Sequence, residues 1–260
     1  MGTSIHQSFW KQTLATVWTR ACVFCGTFSL PSARAPLCAK CAEHLVALDQ
    51  SPIVRLSVRT DFSDAPLSAI ERSAKASPEG FSLAFYDDWW RGCILNLKQT
   101  PSNIAANIIA KLIYTRIIKL IEPEARPDYD SPLYWSYAPG NIFKAPHLVE
   151  VISAVMLRDY AHAIAPAPFS FQRHTGSLWQ KPQKQKSALE RRLSSGRFKL
   201  TRNKSNYARR TTIIFDDVIT TGSTILELLD ILKSQTITTE DPPHKIYFVA
   251  LAFTKPTSEA

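Results

Sequence analysis

Apolar and polar positions along this chain alternate between the spacing of strands and the spacing of helices. Residues 211–215 (TTIIF) and 245–253 (KIYFVALAF) hold runs of consecutive apolar side chains, typical of strands buried on both faces of a sheet. Residues 103–121 place apolar side chains at helical spacing and predict the longest helix, capped by Ser102 or Asn103. Strands that alternate with helices predict an α/β fold with a mainly parallel sheet flanked by helices.

The remaining pattern predicts shorter elements and divides the chain into three parts. Further strands are expected at residues 81–86, 132–139 and 168–171, and further helices at 42–48, 89–98, 147–160 and 223–233. Residues 51–80 mix proline, serine and charge without a sustained period, which indicates a connector with a short helix. The predicted organisation is an N-terminal helix and cysteine-rich module in 1–50, the connector in 51–80, and an α/β domain in 81–257.

The composition is that of a globular protein with a positive surplus. Of 260 residues, 45% are apolar and 20% are charged, and the 31 lysines and arginines exceed the 22 acids to give a net charge of +9. Such a surplus favours phosphate-bearing partners, whether nucleotides, nucleic acid or anionic lipid, without choosing among them. General basicity of the source proteome would produce the same surplus.

The sequence also predicts where the protein resides. No stretch approaches the roughly 20 apolar residues that a bilayer-spanning helix needs. The first twenty residues lack both an uninterrupted apolar run and a small-residue cleavage site, so they do not resemble a secretory signal. We therefore expect a cytoplasmic protein without a membrane span, in which cysteines remain reduced.

Four of the five cysteines form two Cys-x2-Cys pairs that are separated by twelve residues. This spacing can place four thiolates tetrahedrally around one zinc ion, and a complete four-thiolate set predicts a structural metal because no coordination position stays open. Two disulfides would need an oxidising compartment, and a redox Cys-x-x-Cys ordinarily occurs as a single motif beside a βαβ unit. Cys93 stands apart and is expected to be a buried small apolar residue. The candidate zinc ligands are Cys22, Cys25, Cys38 and Cys41.

An acidic pair and a threonine-glycine loop follow the apolar run of residues 211–215. The carboxyl ends of strands are where open α/β sheets bind ligands, and backbone N–H groups at the start of the next helix favour a phosphate. Glycine in the loop lets the backbone approach that phosphate, while two carboxylates can accept hydrogen bonds from vicinal sugar hydroxyls or reach Mg²⁺. The alternative is a plain crossover whose hydroxyls only cap the helix. The candidate residues for a phosphorylated ribose are Asp216, Asp217, Thr220, Thr221, Gly222, Ser223 and Thr224.

Residues 213–224 (IIFDDVITTGST) resemble the signature of type I phosphoribosyltransferases, which binds 5-phosphoribosyl 1-pyrophosphate (PRPP). Together with the four-cysteine frame, this segment makes residues 22–253 similar to the ComF family of competence-associated, phosphoribosyltransferase-like proteins. The resemblance implies a type I phosphoribosyltransferase-like fold in residues 81–257. It also implies that Mg²⁺ accompanies PRPP. In this likeness Asp216 and Asp217 hold the ribose hydroxyls, and residues 220–224 cradle the 5′-phosphate.

Two further segments resemble the family, and two positions depart from it. The helix of residues 89–98 ends in Lys98 at the family's characteristic lysine position, and residues 183–198 match the family at Gln183, Ser187, Glu190, Arg191 and Phe198. The resemblance makes Lys98, Arg173 and Arg191 candidates for holding pyrophosphate or for a lid over PRPP. After the central strand, however, NIFKAPHLVE replaces the family's Arg-Gly-Phe-Asn-Gln type sequence, and Ser194 replaces an expected asparagine. Pyrophosphate handling is therefore left open.

Two functions remain open from the sequence. The first is a Mg²⁺-dependent phosphoribosyltransferase whose acceptor no motif specifies. The second is a non-catalytic, PRPP-responsive module that binds single-stranded DNA in the DNA-uptake machinery, as the resemblance to competence proteins implies. The positive surplus and the basic, aromatic-bearing residues 169–207 suit such contact. That stretch includes Trp179, Arg191, Arg192, Arg197 and Lys199, and it equally fits the mobile lid that closes over PRPP in related enzymes.

Overall fold

A computed structural model describes residues 20–29, 36–57, 79–125, 132–140, 147–173, 197–202, 211–236 and 245–254. Within this part of the chain, no helix has the length and apolar character needed to cross a membrane. The predicted N-terminal helix and the short helix of the connector lie outside the described residues, as does Arg191.

Ten strands are present in the described part of the chain, and six of them form the central sheet. The sheet has the order β3-β4-β10-β9-β5-β6. All neighbours in it are parallel except β3, which pairs antiparallel with β4 at one edge. The strands are β1 (Arg20–Ala21), β2 (Phe28–Ser29), β3 (Val54–Ser57), β4 (Glu79–Phe85), β5 (Leu133–Tyr137), β6 (Ile164–Pro166), β7 (Phe169–Arg173), β8 (Phe198–Arg202), β9 (Thr212–Ile219) and β10 (Ile246–Phe253).

The helices begin at side chains that cap them. The Asp87 and Ser102 side chains accept hydrogen bonds from the N–H groups of Trp90 and Ala105, so each satisfies a donor that the first turn leaves unpaired. Ser102 is thus the cap that the sequence predicted. The helices are α1 (Ala39–Gln50), α2 (Asp88–Gln99), α3 (Asn103–Leu112), α4 (Lys119–Ala125), α5 (Leu148–Asp159) and α6 (Ser223–Thr236), with a π-helical segment (Ile113–Ile118) between α3 and α4.

Side chains from both faces of the sheet are buried, which is why its inner strands read as apolar runs. On one face, Ile213 and Phe215 of β9 share a core with α2, α3, α5 and the cysteine-rich module. On the other face, Ile214 of β9 and Phe248 of β10 pack with α6 and the β7–β8 hairpin. The predicted mainly parallel sheet flanked by helices is confirmed.

The sequence did not predict β1, β2 or β6, nor two strands in segments to which it assigned other roles. β3 lies within the predicted connector, and β8 lies within the segment that was expected to be a basic surface. Both pair antiparallel, β3 with β4 and β8 with β7. An edge strand needs an apolar residue on only one face, so short mixed sequences such as VRLS and FKLTR carry too weak a periodic signal to be recognised alone.

Candidate phosphate-binding site and metal centre

The two aspartates lie within strand β9 and not after it. The strand continues past the predicted end at Phe215 to Ile219, and β10 stays paired with it in register to that end. The Asp216 carboxylate accepts a hydrogen bond from the N–H of Asp217 at 2.8 Å, and the Asp217 carboxylate accepts one from Val218 at the same distance. The strict alternation of side chains does not continue across the pair, because Val218 packs with the same core as Phe215 and Ile219 with the same core as Ile214.

Asp217 is paired with a lysine that the sequence analysis had identified. Lys98 Nζ forms an ion pair with Asp217 Oδ2, and the exposed fractions of the two side chains are 46% and 14%. Lys98 stands in the last turn of α2, where a cation also interacts favourably with the helix dipole. The structure therefore joins two candidate site residues that are far apart in the sequence.

Asp216 lies in a setting that disfavours its charge. Burial raises the pKa of Asp216 well above the usual 3.8, and the negative charge of Asp217 raises it further. An acid with a raised pKa in the folded state keeps its proton where the unfolded chain has already lost it. The stabilising contribution of this proton is complete at low pH and is lost as the pH rises through the folded-state pKa.

This pKa leads to a prediction about stability. We expect Asp216→Asn to raise the Tm at pH 8 by about 3 °C, the effect of about 1 kcal/mol in a domain of this size, because the amide needs no ionisation. The gain should shrink toward pH 4, where the wild-type carboxyl is protonated. Thermal unfolding of the wild type and of Asp216→Asn between pH 4 and 8 measures this difference in Tm. Asp49→Asn, at an exposed position of α1, is the control, and a Tm gain that is constant across pH would contradict the explanation.

The loop after β9 opens directly into helix α6. Gly222 has a φ of +71°, and a side chain there would meet no atom within 4 Å. The backbone turns through this left-handed residue, and Gly222 O then accepts the N–H of Leu226 as the helix begins. Ser223 N donates to Thr221 Oγ1 at 3.5 Å, while Thr220 and Thr221 are exposed. The first turn contains no acidic residue, so its N–H groups and hydroxyls can donate hydrogen bonds to a bound anion.

A buried ion pair that sequence reasoning missed lies beside this loop. Arg197 Nε is 2.6 Å from Glu227 Oε2, and Arg197 N donates to Glu227 Oε1 at 2.7 Å. Arg197 had been assigned to a basic surface suited to DNA, but its side chain is 5% exposed and is engaged by Glu227. Lys199, in the same segment, is exposed. An arginine and a glutamate thirty residues apart carry no local signal of pairing.

Arg173 lies next to that pair. It stands opposite Phe198 in the β7–β8 register, with its guanidinium 5.9 Å from the centre of the Phe198 ring. Burial lowers the pKa of Arg173 from its usual value, and the positive charge of Arg197 lowers it further. Arg173 therefore packs against the paired strands β7 and β8.

The four cysteines of the predicted zinc frame converge. Their sulfur atoms all lie within 4.8 Å of one another, and Cys25 and Cys38 are 3.7 Å apart. Sulfurs at the corners of a tetrahedron with Zn–S bonds of about 2.3 Å are separated by about 3.8 Å, so the donor set and its size fit zinc. Among the described residues, this is the one cluster of three or more potential metal ligands.

Contacts with α2 hold the cysteine-rich module in place. Asn96 Nδ2 donates to Phe24 O at 3.0 Å, and Phe24 is fully buried. A side chain at Gly26, whose φ is +71°, would come within 2.5 Å of Asn96 Oδ1, so the turn after the Cys22–Cys25 pair requires glycine there. For Cys25, burial acts to raise the pKa, but hydrogen bonds with Thr27 outweigh it and leave the pKa at about 7, which favours a thiolate.

Comparison with known proteins shows remote structural similarity. The sequence matches no family model and no curated protein. The structure is similar to a hypoxanthine phosphoribosyltransferase from Staphylococcus aureus, with 12% identity and a TM-score of 0.35 over 61% of this chain and 71% of that one. It is also similar to the Trypanosoma cruzi hypoxanthine enzyme, with 14% identity and a TM-score of 0.35 over 58% and 66% of the chains. For adenine phosphoribosyltransferase from Leishmania donovani, the values are 11% and 0.31 over 62% and 68%. Similarity this remote identifies neither substrate nor reaction.

Proposed function

We propose that this protein binds PRPP as a ComF-like member of the type I phosphoribosyltransferases. The observation that carries the proposal is the continuous unit of strand β9, its acidic pair, the Gly222 turn and the start of α6. Phosphoribosyl transfer to an acceptor is the reaction that this ligand allows, and the acceptor is left unnamed because no described residue specifies it.

The acidic pair suits the ribose of PRPP. Each carboxylate already accepts one backbone N–H and has oxygen lone pairs left for a sugar hydroxyl. The 2′- and 3′-hydroxyls are neutral and can both donate and accept, so they add no charge beside Asp217 and can hydrogen-bond Asp216 in either of its protonation states. Asp216 and Asp217 thus bind the hydroxyls in this proposal.

The loop suits the 5′-phosphate. Residues 220–224 combine hydroxyl groups with the backbone N–H groups at the start of α6, and the helix dipole adds attraction for the anion. The left-handed turn at Gly222 leaves open space where a side chain would otherwise stand. A phosphate can therefore approach the backbone closely.

Lys98 suits the pyrophosphate end. In the absence of ligand its ammonium neutralises Asp217, and 46% of its side chain is exposed, so it can turn to a pyrophosphate oxygen once the ribose engages Asp217. Two carboxylates are fewer oxygen ligands than Mg²⁺ requires, so an accompanying ion would take its remaining ligands from PRPP and water. When bound, the ion would offset the charge of the departing pyrophosphate.

The test is direct titration of the protein with PRPP, with and without Mg²⁺, by isothermal calorimetry. We expect saturable binding at one site per chain, stronger than that of ribose 5-phosphate. Incubation with PRPP, Mg²⁺ and a panel of bases and amines, followed by detection of pyrophosphate, tests transfer in the same preparation. Failure to bind PRPP would overturn the proposal, and binding without pyrophosphate release would restrict the function to that of a sensor.

Gly222→Ala tests the loop separately. Alanine at a φ of +71° costs about 1 kcal/mol, and no atom clashes with its side chain, so the effect comes from the backbone alone. We expect a loss of about tenfold in PRPP affinity, the value of one charge-assisted hydrogen bond. Calorimetry measures it, with Gly92→Ala as the matched control because a side chain there also meets open space, but within helix α2. Equal affinity in Gly222→Ala and wild type would exclude the loop as the phosphate site.

A further inference from the structure

One arginine holds both ends of the first turn of α6. Its two contacts with Glu227 occupy both carboxylate oxygens, at 2.6 and 2.7 Å. A second guanidinium nitrogen, Arg197 Nη2, donates to Ser223 O at 3.4 Å. Ser223 begins the helix and also belongs to the proposed phosphate loop, residues 220–224. Arg197 therefore bridges the loop and a residue one helical turn beyond it.

The pair is built into the core and is not a surface contact. The side chains of Arg197 and Glu227 are 5% and 12% exposed, so neither is screened by solvent as a surface pair would be. The Arg197 guanidinium also lies 5.3 Å from the centre of the Phe198 ring, and Phe198 is buried in the core that covers this face of the sheet. The arginine is thus fixed by its own surroundings before any ligand binds.

Glu227 has an electrostatic consequence for a bound anion. Its carboxylate lies one turn from the helix N-terminus, roughly 6 Å along the axis, where a free negative charge would oppose a phosphate held by the same helix end. Arg197 removes that opposition by neutralising the carboxylate. The same contact keeps the first turn from shifting, because Ser223 O is held as well.

We propose that Arg197 is a positioning residue of the PRPP site. By binding Glu227 and Ser223 O, it sets the orientation of the first turn of α6 and cancels a carboxylate that would weaken phosphate binding. This inference rests on the proposed function and adds a residue that touches no ligand.

The test separates positioning from stability. Arg197→Met removes the guanidinium and leaves the largely buried Glu227 carboxylate with only the backbone N–H of residue 197, so it lowers both the Tm and the PRPP affinity. Arg197→Met combined with Glu227→Leu replaces the pair by apolar side chains, a change that is often nearly neutral for stability. Arg197→Lys keeps the charge with fewer directed donors. Arg158→Met is the matched control, because Arg158 makes an ion pair of the same 2.6 Å length with Asp159 on an exposed surface.

We expect calorimetric titration with PRPP to show a loss of about tenfold or more for Arg197→Met. The double variant should recover the wild-type Tm but remain about fivefold weaker in PRPP binding, since Ser223 O has lost its donor. Arg197→Lys should lie between these and wild type, and Arg158→Met should match wild type. A double variant with wild-type Tm and wild-type PRPP affinity would show that the pair is merely structural.

The two proposals fail in different ways. If wild-type protein binds no PRPP, the proposed function and this inference fall together. If wild type binds PRPP and loses it on removal of the acidic pair, yet the double variant binds as wild type does, only the role of Arg197 is overturned.

Discussion

Replacing Asp216 and Asp217 together by asparagine is expected to weaken PRPP binding by at least about 100-fold. A hydrogen bond to a charged group contributes about 1.5–3 kcal/mol, so two of them amount to about 3 kcal/mol or more. Asparagine keeps the size of each side chain and its capacity to accept a backbone N–H. The loss should therefore concern the ligand and not the fold.

Calorimetric titration with PRPP measures the effect, and thermal unfolding of the same samples checks the fold. We expect the Tm of the double variant to stay close to that of wild type, because the amide at 216 removes a destabilising pKa shift while the amide at 217 gives up the ion pair with the half-exposed Lys98. Asp49→Asn is again the control. Binding within about threefold of wild type, less than the worth of one such hydrogen bond, would show that the acidic pair does not contact the ribose.

Removal of the zinc ion that we propose for the four-cysteine cluster is expected to have the largest effect on stability. Structural zinc contributes about 10–16 kcal/mol in small zinc domains at neutral pH, and the cysteine-rich module here shares a core with α2 and the sheet. Cys41→Ser should reduce the zinc content to well under half an equivalent and lower the Tm by about 10 °C or more, given about 2–4 °C for each kcal/mol. The loss reaches the sheet because Cys41 is itself buried in that core.

Metal analysis of protein purified without added zinc measures the first quantity, and calorimetric unfolding measures the second. Cys93→Ala is the matched control, since Cys93 is fully buried in the same core but is not part of the four-sulfur cluster. It should keep about one equivalent of zinc and lose only the stability of a small cavity. A Cys41→Ser protein with full zinc content, or wild type with less than about half an equivalent, would contradict the assignment.

Local patterns account for what the sequence predicted well. The helices at residues 89–98, 103–121 and 147–160 and the strand at 245–253 are present within a few residues, because each repeats its apolar positions over several turns or pleats. The helical segment that begins at Asn103 ends at Ala125, later than predicted. Within its π-helical stretch, Thr115 Oγ1 donates to Lys111 O. Its predicted end fell short because the apolar period weakens over the last turn.

The candidate site residues likewise differ in whether short segments of the sequence reveal them. The spacing of the cysteines and the order of acids, glycine and hydroxyls lie within short segments, so their composition is readable before any contact is known. Arg197 was misread because its charge is typical of a surface, and only the packing of β8 against α6 brings it to Glu227. Long-range pairs of this kind leave no periodic trace.

The sequence alone determined the longer helices, the inner strands of the sheet, the four-cysteine frame and the strand–loop–helix unit that carries the candidate ligand site. Each of these is built from short segments, within which backbone geometry links spacing directly to direction. Tertiary structure alone decided that Lys98 faces Asp217, that Asp216 is buried enough to shift its pKa, and that Arg197 neutralises Glu227. Charge and burial at these positions depend on elements far apart in the chain that meet only when the sheet and its two helical layers pack.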